Sequence, residues 1–257
     1  MIRIERSGQH GPAVVLLHEL GGSAATFRWL TPYLTDCRTL LVNLPGTAGS
    51  TPAPEESSLG DLASLVASAL GSEGVAGAVI VGIAGGAGVA AALAAARPDL
   101  AAGLLYASLG STISSATAEY IRARVPIVRE YGMEPVADPS LARSYPEFLR
   151  AKHPGVFDGY RADFVSSTVD GYVTQGLALA ASGSGLGTDL SRVAAPTVVL
   201  GGALDELFPP PAIDAAASFV PNLVARVQLP GVAHLPHLQA PRALAGAITM
   251  LAGCAVG

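Results

Sequence analysis

The sequence predicts an α/β fold: a mostly parallel, doubly wound sheet with helices on both faces and one helical insertion. Three observations predict it. Short apolar, β-branched runs bounded by glycine alternate along the chain with stretches of helical period. The short apolar run from Ala78 ends in the glycine Gly82; two residues later come Ala84, then Gly85 and Gly86, then the Ala-rich run Ala87 to Ala96, leaving room only for a very sharp turn. Glycines two before and two after its tip, Gly82 and Gly86, let the strand and helix backbones approach, because a Cβ at either place would clash. Finally, the segment from Ser111 to Gly187 holds most of the arginines, several aromatics and no strand-like run. The tip of the sharp turn is Ala84, which carries no nucleophile.

Taken in order, Met1 to Arg6 alternates and reads as a first strand, and Gly8 to Pro12 as a turn. Ala13 to Leu17 is a buried strand running into the glycine loop His18-Glu19-Leu20-Gly21-Gly22-Ser23. Ser23 is placed to cap a helix through Leu34 that carries Phe27, Trp29, Leu30 and Tyr33. Thr39 to Asn43 is the next strand, and Gly46 to Pro54 a turn-rich loop. Ser57 or Ser58 caps a helix with Leu62, Leu65, Val66, Ala69 and Leu70 at helical spacing. After the central strand and the Ala-rich helix, stopped at Arg97-Pro98, Ala102 to Ser108 is a strand. Helices are expected in the insertion near Thr117 to Tyr131, Ser140 to Lys152, Gly159 to Val165 and Thr168 to Ala181, with Ser182-Gly183-Ser184-Gly185 returning the chain to the core. Strands at Thr197 to Leu200 and Val224 to Leu229 and helices at Pro211 to Phe219 and Ala240 to Leu251 complete it. The domains expected are a core of residues 1–110 and 188–257 and a helical cap of residues 111–187.

The 257 residues, half of them hydrophobic, can bury a large core. A net charge of −5 and sparse charge give no basic face for nucleic acid. Cys37 and Cys254 lie far apart and near no histidine pair, so they read as bystander thiols rather than a disulfide or zinc framework. There is no apolar signal region and no unbroken apolar run of bilayer length, so a cytoplasmic protein with no membrane partner is expected. The Ala and Gly richness fits a GC-rich bacterial genome. The expected partner is a small-molecule substrate, the expected state a monomer or homodimer, and no cofactor or metal constellation appears.

In a parallel sheet of this kind, ligands bind just past the carboxyl ends of the strands. Sorting the chain by that rule selects His18, Glu19, Asn43, Ala84, Ser108, Asp205 and His234. Over nearly its whole length the chain then resembles the α/β-hydrolase superfamily, on five segments in the family's order. His18-Glu19-Leu20-Gly21-Gly22 resembles the oxyanion loop, and Leu44-Pro45-Gly46-Thr47-Ala48-Gly49-Ser50 the proline-glycine loop. Gly82-Ile83-Ala84-Gly85-Gly86 resembles the nucleophile elbow. The segment from Gly202 to Pro209 is similar to the one carrying the triad acid, and Gly231-Val232-Ala233-His234 to the one carrying the triad histidine. The resemblance implies His234 as base, Asp205 as its orienting acid, and the N–H groups of Leu20 and Gly85 as oxyanion hole. It also implies that the insertion is a cap and that His18 supports the loop, with His10 and His237 as bystanders.

Four positions depart from the family's pattern: Ala84 stands at the nucleophile, Glu19 where glycine is usual, Thr47-Ala48 for His-Gly, and Asn43 for Asp. The sheet also reads one strand short of eight. Three readings of Ala84 stay open. The chain is a hydrolase whose Ser has been replaced, acting on a small organic ester, lactone or ring-cleavage product. Or it is a cofactor-independent lyase, cyclase or decarboxylase that uses His234–Asp205 as general base, with Glu19 as a further acid or base. Or it is a ligand-binding homologue without catalysis. A competing fingerprint, Gly86-x-Gly88-x-x-Ala91, fits a dinucleotide loop but lacks the acidic residue about twenty positions on. In the cap, one of Arg122, Arg124, Arg129, Arg143, Arg150 and Lys152 is a candidate to meet a substrate carboxylate, and Tyr120, Tyr145, Phe148 and Tyr172 are candidates to line the pocket.

Overall fold

A computed structural model describes residues 1–8 and 10–256, and side chains as far as residue 253, so that of Cys254 lies outside the described residues. Seven strands form one sheet: β1 (Ile4–Ser7), β2 (Ala13–Leu17), β3 (Arg38–Val42), β4 (Ala78–Ile83), β5 (Ala101–Ala107), β6 (Thr197–Gly202) and β7 (Leu223–Leu229). Their order is β1-β3-β2-β4-β5-β6-β7, with β1 antiparallel to β3 and every other pair parallel. The sheet is thus one strand short of eight, as the N-terminal sequence implies. All six residues of β4 are buried, which is why it reads as an unbroken apolar run rather than an alternation. In β2 the period of two divides the chain between the faces: Val15 and Leu17 pack on one side, Val14 and Leu16 on the other.

The helices are α1 (Leu59–Ser72), α2 (Gly85–Ala96), α3 (Ser115–Tyr131), α4 (Glu134–Ser144), α5 (Glu147–Lys152), α6 (Pro154–Val165), α7 (Val169–Ser182), α8 (Gly185–Arg192), α9 (Pro210–Ser218), α10 (Pro236–Gln239) and α11 (Pro241–Val256). Helices α1, α2, α8 and α9 cover one face of the sheet, and α11 with the segment after β2 the other. Ser58, not Ser57, caps α1. Its hydroxyl accepts from the Asp61 N–H while the Asp61 carboxylate accepts from the Ser58 N–H, a capping box.

Local chemistry moves several expected boundaries. The stretch after Ser23 is two short 3₁₀ helices, Ala24–Trp29 and Thr31–Tyr33, rather than one α-helix. Pro32 lacks the N–H that an α-helix would aim at the Arg28 carbonyl. The helix expected over Ser140 to Lys152 is split at Tyr145-Pro146, where Tyr145, preceding a proline, leaves helical geometry at φ −136°, ψ 82°. Helix α6 begins five residues ahead of Gly159, at Pro154, whose missing N–H costs nothing in the first turn. Gly183, at φ 49°, ends α7, but the chain does not yet return as loop: α8 follows, with Leu186 and Leu190 buried against the sheet's helices.

Helices α3 to α8 therefore form one insertion between β5 and β6. Most of it builds its own apolar core, including Val128, Leu141, Tyr145 and Phe157. It is tied to the sheet by α7. The Gln175 amide donates to the Pro45 carbonyl (3.1 Å) and the Thr47 hydroxyl (2.8 Å), and Gly171 lies so close to the loop that a Cβ would be 2.7 Å from Thr47 Oγ1. The threonine that replaces the usual histidine of this loop thus anchors the cap.

Candidate active site

The turn from β4 into α2 has the predicted geometry. Ala84 lies at φ 49°, ψ −120°, a region that costs a residue with a Cβ about 1–3 kcal/mol. The surroundings impose it: a Cβ on Gly82 would sit 2.4 Å from Ala87 Cα, and one on Gly86 2.3 Å from the His18 carbonyl oxygen. Gly86 and Gly88 are buried by this packing, Gly88 against Leu59, so the dinucleotide fingerprint reflects helix–sheet contact rather than an open phosphate loop.

His234 follows β7 and Asp205 follows β6, two neighbouring strands. His234 Nδ1 donates to Asp205 Oδ2 at 2.9 Å, and Asp205 Oδ1 accepts from the Leu207 and Phe208 N–H groups at 2.9 and 3.0 Å. With both carboxylate oxygens engaged, the acid holds the imidazole in one tautomer, and Nε2 is the nitrogen left for chemistry. The Phe208 ring stacks against the imidazole, with centroids 6.0 Å apart.

The loop after β2 is held by His18 in the supporting role the sequence implies. Its Nδ1 donates to the Glu19 carbonyl at 2.8 Å and its Nε2 accepts from the Leu44 N–H at 3.0 Å. That requires a neutral ring, and burial lowers its pKa accordingly. This brings the Leu20 N–H within 3.5 Å of where a Gly85 Cβ would stand, and neither amide has an acceptor among the described residues.

Glu19 is not solvated. Only 2% of it is exposed, Oε2 is 3.3 Å from His237 Nε2, and among the described residues Oε1 has no hydrogen-bond partner. Burial, the largest single influence, pushes the carboxyl up, but His237, His18 and its own backbone together pull it down further, so its pKa falls below the ordinary glutamate value. His237 is thus the buried partner of Glu19 and no bystander, whereas His10 is exposed. Gly22 is the device that admits the carboxylate, since a Cβ there would be 2.3 Å from Oε1. Asn43 ties the sheet edge together, accepting from the Ala24 N–H at 2.9 Å and donating to Glu5 at 3.1 Å. Ser108, though selected by the strand-end rule, is fully buried and does not line the cavity.

Ala84, Gly85, Leu20, Glu19 and His234 line one cavity of about 130 Å³ beneath the insertion. That is close to the ~150 Å³ known to accept a benzene ring in an apolar interior. Of the four cap aromatics singled out, Tyr120 and Tyr172 line it, Tyr145 is buried against Phe157 in the cap's own core, and Phe148 is exposed. Tyr160 and Phe164 also line it and escaped the sequence reading; their four-residue spacing on α6 puts them on one helix face, a signal available in the sequence. Burial raises the Tyr160 hydroxyl well above its ordinary pKa and Glu19 raises it further, while burial pushes Tyr172 up to about 12. Both therefore remain neutral hydrogen-bond donors. Cys37 is buried, and burial pushes its thiol up. Among the described residues no helix is long and apolar enough to cross a membrane, and no cluster of three or more His, Cys, Asp or Glu is placed to hold a metal.

A sharp strand–helix turn, an acid–histidine pair on the next strands, two unpaired amides and a helical cap together define the α/β-hydrolase class. Residues 14–247 match the model of the alpha/beta hydrolase family, and the chain belongs to that family. Its structure is similar to a thermophilic esterase from Thermogutta terrifontis solved with malate bound, at TM-score 0.90 and 24% identity, covering 99% of this chain and 93% of that one. It is also similar to the enol-lactonase from Burkholderia xenovorans LB400, at TM-score 0.89 and 21% identity over 97% and 95% of the two chains. A hydrolase from Pseudomonas aeruginosa PA01 follows at TM-score 0.87 and 23% identity, over 98% and 94%. A comparison with curated proteins finds no match.

Proposed function

We propose that this chain is an enzyme that hydrolyses a small ester or lactone by base-assisted attack of water, without a covalent intermediate. The observation that carries the reading is the pairing of an intact His234–Asp205 dyad with a methyl group at Ala84, on the wall of one cavity. A base oriented by a fully engaged carboxylate is poised to take a proton, and Ala84 offers none. Water in the space beside the methyl would supply it. His234 Nε2 takes the water proton as the oxygen bonds to the carbonyl carbon. The carbonyl π pair moves to oxygen, where the Leu20 and Gly85 N–H groups hold the developing charge. Collapse breaks the bond to the leaving oxygen, which receives the proton back from His234. The esterase and the enol-lactonase that share the fold lend this choice of substrate some weight by analogy.

A second reading draws on Glu19, a buried carboxylate in the same cavity. Here His234 removes a proton from carbon next to the carbonyl, the same amides hold the enolate oxygen, and Glu19 relays the proton, as a lyase, cyclase or decarboxylase would need. One assay separates the two. The parent protein is incubated with a panel of small esters and lactones in deuterium oxide. Hydrolysis with no deuterium at carbon, lost about 10²–10⁴-fold in His234→Ala, is expected. Deuterium wash-in without hydrolysis would establish the second reading instead, and binding with neither would leave a ligand-binding protein.

A further inference from the structure

The end of the cavity formed by α3 and α4 carries charge that the proposed reaction does not use. Tyr120 lies on the wall, with the Arg124 guanidinium 3.5 Å from its ring centroid and that of Arg143 at 4.6 Å. Two cations thus share one aromatic ring. Arg124 packs behind the wall on the Tyr120 ring rather than on the wall itself; it is only 7% exposed, and among the described residues its Nε has no hydrogen-bond acceptor. Arg143 lies on the cavity wall itself, as do the hydroxyl-bearing residues Thr117, Ser140 and Tyr172. Some guanidinium groups pair with acids, as Arg28 does with Asp163, Arg129 with Glu55, Arg161 with Glu134 and Asp138, and Arg226 with Asp214; Arg122 and Arg150 donate to backbone carbonyls instead. No carboxylate pairs with Arg124 or Arg143 among the described residues. The one acidic side chain on the cavity wall, Glu19, is taken by His237.

A buried cation without a counter-ion is costly, and an aromatic ring shared with a second guanidinium offsets only part of that cost. Guanidinium groups pair with planar carboxylates through directed N–H donors, and lining hydroxyls can complete the anion's shell. We infer that the Tyr120–Arg124–Arg143 end of the cavity is a carboxylate-binding subsite, so that the substrate of the proposed reaction carries a carboxylate at the end remote from its ester or lactone carbonyl. The inference rests on the proposed function for the reacting end only; the subsite binds an anion whatever chemistry follows.

The test is calorimetric titration of the intact protein with monoethyl glutarate, which carries one ester and one carboxylate, against diethyl glutarate, which is neutral. The half-ester is expected to bind at least about tenfold more tightly. Arg143→Gln, at an exposed position that should not disturb folding, is expected to erase most of that preference while leaving diester binding unchanged. Arg124→Gln is expected to do the same, with thermal unfolding checking that the variant is folded. Equal binding of the two esters, tighter binding of the diester, binding of neither, or a preference that survives Arg143→Gln would each overturn the subsite. A parent that hydrolyses the diester without preferring the half-ester would overturn the subsite alone. A carboxylate preference in a protein that turns over neither compound would uphold the subsite and remove the proposed reaction.

Discussion

At Ala84 the chain holds a methyl group in a backbone conformation that ordinarily costs about 1–3 kcal/mol. The neighbouring glycines make that conformation the one that fits, so the strain belongs to the turn and not to the side chain. These features were legible in sequence because each leaves a spacing: glycines at two before and two after the tip, and an Asp and a His after successive strands. The setting of Glu19 was not legible. A glutamate after a strand is written alike whether water or an imidazole faces it, and only the fold brings His237, more than two hundred residues away, to within 3.3 Å. The pair makes a pH prediction. Because the folded pKa of Glu19 lies below its unfolded value of about 4.3, the ionised carboxylate stabilises the fold above roughly that pH, and the contribution is lost as pH falls through the folded value. Glu19→Gln should therefore unfold at a lower temperature than the parent at pH 7, and the gap should narrow below about pH 4. A gap that stays constant or widens in acid would show that the carboxylate does not draw its stability from its charge.

The elements carry a second set of consequences. Helix α2 can lie on β2 and β4 only because Gly86 has no side chain, its absent Cβ being 2.3 Å from the His18 carbonyl oxygen and 2.5 Å from that of Leu17. Gly86→Ala should destabilise the protein by about 1–3 kcal/mol or more in urea unfolding, as overpacking in a rigid core does. A neutral result would mean that α2 is not held as tightly as its glycines imply. On the cap side, Gln175→Ala removes both side-chain bonds from α7 to the Pro45–Thr47 loop and leaves buried acceptors behind. A loss of about 1–3 kcal/mol is expected, with faster hydrogen exchange in α7 than in β4. Uniform exchange would contradict its role as cap anchor. Element types were largely readable, since hydrophobic period separates strand from helix. Boundaries were readable only where a cap or breaker marks them: Ser58 and Arg97-Pro98 do, while the split at Tyr145-Pro146 and the early start of α6 turn on proline effects that overrode the expected helix.

Over the whole molecule, a seven-stranded sheet delivers the ends of β2, β4, β6 and β7 to one edge, and the α3–α8 insertion closes over that edge. The arrangement was legible because five motif segments stand in family order; which side chains the cap turns inward was not, since Tyr145 and Phe148 look no different in sequence from Tyr120 and Tyr172. In the proposed mechanism His234 serves as base and the Leu20 and Gly85 amides hold the charge, with no covalent nucleophile at Ala84. Intact-protein mass spectrometry during incubation with p-nitrophenyl acetate tests that most directly, run on the parent, on Ala84→Ser and on Ala84→Ser with His234→Ala. The parent should show no adduct at any time. Ala84→Ser should show an acetyl adduct on the new hydroxyl, with His234, on the wall of the same cavity, as the proposed acceptor of its proton, and the double variant should lose it. An acetyl adduct at the site in the parent, or none in Ala84→Ser under turnover, would overturn the proposed mechanism.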